Sequence, residues 1–345
     1  MVAQPSSRSS HLIAVSVAML AMTCLATAAI AQDAVHGAVT MDSSKVVGAE
    51  ACMKCHGQEV AVWKQTPHHH TFKELHRRPE AKQIAEKMGI RSIKRGDLCT
   101  KCHYTMQAVD GREKAVAGVS CESCHGAARD WIAIHNDYGG PTVTKESETA
   151  EHAQQRVTNA IKNGMQNPAN AYLIARSCYN CHTVPNEQLV NVGGHAAGSA
   201  GFELVAWSQG MIRHNFLSAD YSSNAHSPTG RLRLMYVTGL MTNLEYSLRA
   251  TANATTAATY GFASAERAFE ARKRLAELQA QLNHPILTEA LDAAYGVKLK
   301  SNNKDALTLA ADQVGSAAFS FAQSVDCSTL AAVDAYLPAA SQYKN

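Results

Sequence analysis

Residues 118–135 read GVSCESCHGAARDWIAIH, and the run Cys121-Glu122-Ser123-Cys124-His125 inside them decides how the whole chain is read. It is a C-x-x-C-H motif. The same pattern recurs with Cys52, Cys55 and His56, with Cys99, Cys102 and His103, and with Cys178, Cys181 and His182. C-x-x-C-H is the attachment signature of c-type haem. The two thiols add across the two vinyl groups of the porphyrin, and a two-residue spacer lets them reach both. The adjacent histidine then meets the iron on one axial face. Zinc knuckles or thioredoxin-like pairs do not account for a histidine after every second cysteine. The expected cofactors are therefore four covalently attached c-type haems, with His56, His103, His125 and His182 as proximal ligands.

The rest of the composition fits that reading. Of ten cysteines, eight lie in the motifs, Cys24 lies in an N-terminal apolar run, and Cys327 is left over. No structural disulfide is needed, although an exported protein would be permitted one. Residues 1–31 have a basic start at Arg8, an apolar stretch over 12–30 and an A-x-A site at Ala29-Ile30-Ala31. That is the pattern of a cleaved secretory signal peptide, with a retained membrane anchor as the alternative. Export to the periplasm agrees with haem, because c-type haem is attached outside the cytoplasmic membrane. The formal charge of +3 falls by one when Arg8 is removed. Haem propionates would bring the holoprotein to neutral or acidic. No basic block with interleaved aromatics points to nucleic acid.

The fold class expected is mainly α: a multihaem cytochrome c module of short helices and loops wrapped on four haems, followed by an α-helical bundle. Residues 32–47 read as a flexible lead. Residues 48–230 form the tetrahaem domain, whose buried apolar surface comes in large part from the porphyrins. Within it, helices are expected over 58–64, 148–163 and 202–216, with charged helical character over 73–95 broken at Pro79. Residues 104–120 alternate around Asp110-Gly111 and predict a short hairpin. From residue 231 the motifs stop, and 231–250, 264–282, 287–295, 305–324 and 329–336 read as helices of a C-terminal domain, 231–345. That domain either covers the haem module or docks a partner, a membrane or a second copy.

Axial ligands set what each haem does. Outside the motifs and residues 1–31, eleven histidines compete for the distal positions, among them His195 beside Gly193-Gly194. Met106 and Met165 are further candidates, although methionine is more often packing.

The stretch Gly118-Val119-Ser120-Cys121-Glu122-Ser123-Cys124-His125-Gly126 resembles the third-haem signature of the tetrahaem cytochrome c-554 family. Trp63-Lys64-Gln65-Thr66-Pro67-His68 resembles the Trp-x-x-Thr-x-His element that follows the family's first motif, and the order of all four motifs is similar too. The resemblance covers about residues 48–217. It implies a bis-histidine scheme in which His68 completes the iron of His182, His135 that of His56 and His214 that of His125. His195 competes with His214. It also implies a five-coordinate iron on His103. Of the histidines left to close that site, His69, His70, His76 and His195, the last is the best placed.

The expected function is a periplasmic electron carrier between redox partner proteins. By the resemblance, the donor is like hydroxylamine oxidoreductase and the electrons pass toward the quinone pool. Two alternatives are a nitric oxide reductase at an open second haem and a subunit of a polymeric or membrane-associated haem wire built through the C-terminal helices.

Overall fold

The computed structural model describes residue 37 and residues 39–199, 201–216 and 222–345. The expected signal peptide at 1–31 lies outside the described residues, as do residues 32–36 and 38 of the lead.

The N-terminal half is a string of short helices. These are α1 (Ala49–Met53), α2 (Gly57–Trp63), α3 (Pro67–Glu74), α4 (Pro79–Lys87), α5 (Asp97–His103), α6 (Cys121–His125) and α7 (Ala150–Lys162). Their punctuation is local chemistry. Pro67 and Pro79 open α3 and α4 at the first turn, where a missing N–H costs nothing. Thr66 caps α3 and Thr149 caps α7 by accepting from backbone N–H groups. Between α5 and α6 lies a hairpin, β1 (Thr105–Val109) and β2 (Arg112–Ala117), in which Val109 faces Arg112. Asp110 and Gly111 both have positive φ, 51° and 71°, as a tight two-residue hairpin turn needs. This is the only sheet among the described residues.

The C-terminal half holds α8 (Ala171–His182), α9 (Glu187–Asn191), α10 (Leu204–Ser208), α11 (Thr229–Ala252), α12 (Thr259–Leu282), α13 (Pro285–Tyr295) and α14 (Lys304–Ser324). The large core is here. Leu173, Leu204, Met241, Leu244, Leu248, Leu275, Leu278, Leu287, Leu307 and Phe321 are all buried in one cluster. Elements on both sides of residue 230 share it, because α8 contributes Ala171, Tyr172, Leu173, Ala175 and Tyr179. The helix that ends in the fourth haem motif is thus part of the bundle's core. By contrast, the clusters under the other motifs are small: Ala128, Trp131, Ala160 and Met165 in one, Ala85, Ile93 and Tyr104 in another. Among the described residues no helix is long and apolar enough to cross a membrane.

Two segments differ from the helical spacing of their sequence. The helix expected over 202–216 covers only Leu204–Ser208. Past it, the C-terminal tail crosses Gly210. Met211 donates to the Lys344 carbonyl at 2.7 Å, and Lys344 donates to the Ala206 carbonyl at 3.0 Å. A Cβ at position 210 would collide with the Lys344 backbone, so glycine is required for this crossing. Residues 327–336 follow a 3-10 path with non-helical dihedrals at Leu330, instead of the α-helix expected there.

Candidate functional site

All four C-x-x-C-H motifs sit on a turn of helix. α5, α6 and α8 end at His103, His125 and His182, and the first motif runs on from α1, with the His56 amide donating to the Cys52 carbonyl at 2.9 Å. On a helical turn, positions three and four apart share a face. Both sulfurs and the imidazole therefore project to one side, which is what one porphyrin requires. All the described cysteines are free thiols.

Across from each motif histidine stands a second one. The ring centres are 6.3 Å apart for His56 and His135, 6.3 Å for His68 and His182, 6.4 Å for His103 and His195, and 6.1 Å for His125 and His214. Such gaps are too wide for ring stacking. An imidazole nitrogen lies about 2.0 Å from a first-row metal it binds, and the ring centre about 1.2 Å further, so two rings across one metal have centres roughly 6.3 Å apart. All four pairs fall on that spacing. Among the described residues no group of three or more His, Cys, Asp or Glu converges as a zinc site requires. Two facing imidazoles beside a cysteine pair fit a haem iron, whose porphyrin fills the other positions.

The distal rings are oriented by their own turns. The Nδ1 atoms of His135, His195 and His214 lie 2.6, 2.8 and 2.8 Å from the carbonyls of Ile132, Ala196 and Ile212. An Nδ1–H donated to a carbonyl leaves the Nε2 lone pair for a metal and raises its basicity. His182 Nδ1 similarly meets Ser199 Oγ at 2.7 Å. Burial holds His103, His125 and His182 down at about 4, so these imidazoles are neutral at pH 7, the state that binds a metal.

His68 comes to its place through the Trp63-x-x-Thr66-x-His68 element. Trp63 Nε1 donates to the Val119 carbonyl at 2.8 Å, Thr66 caps α3, and the Val119 amide donates to the His68 carbonyl at 3.0 Å. The α3 start is thereby fastened to the approach to α6. His135 sits with its ring edge-on to Trp131, and its carbonyl accepts from Arg156 of α7 at 2.8 Å. Glu148 holds that guanidinium with both carboxylate oxygens, at 2.8 and 2.6 Å. His214 lies between Arg213, which donates to the Gln209 and Asn224 carbonyls, and Asn215, whose amide donates to Asn224 Oδ1 at 2.8 Å.

Glu122, inside the third motif, has no analogue in the other three and is missed by a motif reading. Its buried carboxylate accepts from the amides of Val47, Gly48 and Ala128 at 2.8–2.9 Å. It ties the segment entering α1 to α6. Glu122→Ala strands three backbone donors, and the expected loss is about 3 kcal/mol, at roughly 1–3 kcal/mol per unsatisfied group. Urea denaturation of the holoprotein measures it, and a loss below about 1 kcal/mol means water replaces the carboxylate.

The same coupling shows in the sulfurs. The Cys52 and Cys121 thiols are within hydrogen-bonding reach of each other, as are those of Cys102 and Cys181. Cys124 and Cys178 are near enough to interact electrostatically. The attachment sites thus adjoin in the order first, third, fourth, second.

The remaining described histidines lie elsewhere, and the buried Nδ1 atoms of His69 and His76 have no hydrogen-bond partner. His69 lies edge-on to Trp63, His70 is near Glu74, His152 pairs with Glu148, His226 lies against Tyr343 and His284 against Phe321. Met106 and Met165 pack in the small apolar clusters. The His195 ring faces His103, the motif histidine at which an open iron was expected. The Gly193-Gly194 dipeptide was the sequence signal for that approach.

Comparison with known proteins agrees with the site. The family described as "Cytochrome c554 and c-prime" matches residues 51–126. Cytochrome c-554 of Nitrosomonas europaea is 29% identical over 103 residues, which is 27% of this chain and 43% of that protein. The match thus spans less than half the length of that relative. No solved structure matches. Motif, helical turn and facing imidazole together define a c-type cytochrome that holds haem covalently. Over residues 51–126 the chain is similar to the cytochrome c-554 family.

Proposed function

We propose that this chain is a periplasmic tetrahaem cytochrome that carries single electrons between redox partner proteins. The observation that carries the reading is the set of four facing imidazole pairs, 6.1–6.4 Å between ring centres, each beside a C-x-x-C pair. Bound c-type haem supplies one-electron redox chemistry. The residues that would hold it are Cys52, Cys55 and His56; Cys99, Cys102 and His103; Cys121, Cys124 and His125; and Cys178, Cys181 and His182. His135, His214 and His68 would take the distal positions at the first, third and fourth sites.

The protein's part is to position and exclude. Covalent attachment and paired neutral imidazoles leave little to rearrange when charge changes, which suits rapid transfer. Two imidazoles give a lower potential than a methionine–histidine pair. The contiguous order of attachment sites supports passage of electrons through the chain rather than storage at isolated centres. By the resemblance, the donor is like hydroxylamine oxidoreductase and the flow is toward quinones. Export of the holoprotein follows from where c-type haem is attached.

The test is stoichiometric. The purified holoprotein is expected to have the mass of the chain from about Gln32 plus four haems, with matching haem content by the pyridine haemochrome assay. Three haems, or retention of residues 1–31, would count against the proposal.

A further inference from the structure

We infer that His195 is the sixth ligand of the iron held by Cys99, Cys102 and His103, so that the second site is closed and no position is left for a small ligand. This rests on the tetrahaem reading and departs from the open second site that the family resemblance implies.

Three observations carry it. First, the His195 and His103 ring centres are 6.4 Å apart, the spacing of the three other pairs to within 0.3 Å. Second, His195 Nδ1 lies 2.8 Å from the carbonyl of Ala196, the same contact that His135 and His214 make with carbonyls of their own turns. An Nδ1–H donated there leaves the Nε2 lone pair free for a metal. Third, the loop that presents it is rigidly built. Gly194 has φ +78°, a conformation that favours glycine, and its amide donates to the Val190 carbonyl at 3.1 Å. The His195 amide donates to the Leu189 carbonyl at 3.1 Å, which folds the chain back over the end of α9. A Cβ on Gly193 would sit 3.1 Å from Met88 Cγ, so the turn also presses against the residue that follows α4.

The C-terminal bundle grips this loop from both sides. Before it, Glu187 accepts from the amides and hydroxyls of Thr255 and Thr256 at 2.6–3.0 Å, and Asn191 Oδ1 accepts from the Tyr260 amide at 2.9 Å. Val190 is buried with Ala250, Ala254 and Tyr260. After it, Arg267 of α12 donates to the carbonyls of Ala197 and Thr183. The helices beyond the matched family segment therefore act as the scaffold of a distal ligand. His195 is the ligand, and Arg267 and Glu187 are positioning residues.

The experiment uses the full holoprotein. Low-temperature electron paramagnetic resonance of the ferric form is expected to show low-spin iron only, and the ferrous form is expected not to bind carbon monoxide. In His195→Gly, about one quarter of the iron becomes high-spin, each chain binds one carbon monoxide, and added imidazole returns that iron to low spin. In His195→Met, a methionine–iron charge-transfer band appears in place of the high-spin signal. A wild-type protein with about a quarter of its iron high-spin and one carbon monoxide bound per chain overturns the inference without any variant. So does a His195→Gly protein that stays wholly low-spin. A haem content other than four would instead defeat the tetrahaem reading, and the haemochrome assay reads that separately.

Discussion

Glu245→Leu is expected to destabilise the protein by about 3–5 kcal/mol, the cost of removing one partner from a buried ion pair. Glu245 is wholly buried on α11. Its carboxylate accepts from Arg249 Nε and Nη2 at 2.9 and 2.8 Å and from Tyr172 Oη at 2.8 Å. Burial pushes its pKa up, and Arg249 and Arg176 push it down. Leucine would leave the Tyr172 hydroxyl without its acceptor and Arg249 with Asp312, at 2.8 Å, as its remaining carboxylate partner. Tyr172 lies on α8, ten residues before His182, so this contact fastens the helix of the fourth haem motif to the bundle. Urea denaturation of the holoprotein followed by tryptophan fluorescence and Soret absorbance measures the loss. The double variant Glu245→Leu/Arg249→Leu is expected to recover part of it, since the guanidinium hydrogen-bonded to the missing carboxylate is then gone too. A single-variant loss under about 1 kcal/mol would show that the network is not what holds α8.

His135→Met is expected to raise the potential of one centre of the four and leave the others in place, because a thioether ligand favours the reduced iron relative to imidazole. The haem stays attached, since Cys52, Cys55 and His56 are untouched. A spectroscopic mark accompanies the shift. The His56 and His135 ring planes are only 26° apart, against 78° for His125 and His214. Near-parallel imidazoles split the iron π orbitals and give a rhombic low-spin resonance, whereas crossed ones give a strongly axial signal. The rhombic resonance is the one that disappears in the variant. Spectroelectrochemical titration and paramagnetic resonance on the same sample check both. An unchanged titration and spectrum would break the assignment of His135 to His56.

The haem-attachment chemistry was legible because it is local. A thiol, two spacers, a thiol and an imidazole must lie within one helical turn, so five consecutive residues carry the whole requirement. The hairpin around Asp110-Gly111 and the long C-terminal helices were legible for the same reason, since turn preference and apolar periodicity are local too. The end of α10 was not, because the tail from residue 344 crosses Gly210 and the chain breaks its helix to make room. Nor was the role of Glu122, whose partners Val47 and Gly48 are more than seventy residues away.

Distal ligands are the clearest case of what sequence alone could not determine. By itself the sequence determined four C-x-x-C-H motifs and a largely helical chain. It left the pairing of the second imidazoles to resemblance, and left the iron of His103 open. Each pairing joins segments far apart in the chain: His68 reaches His182, and His195 reaches back to His103. No spacing rule governs such pairs, because the distance between two imidazoles is set by how segments distant in the chain pack. Only the tertiary structure brought the His195 and His103 ring centres to 6.4 Å. The physical reason is that Glu187, Asn191 and Arg267, through partners far along the chain, fix the Gly-Gly turn that carries His195.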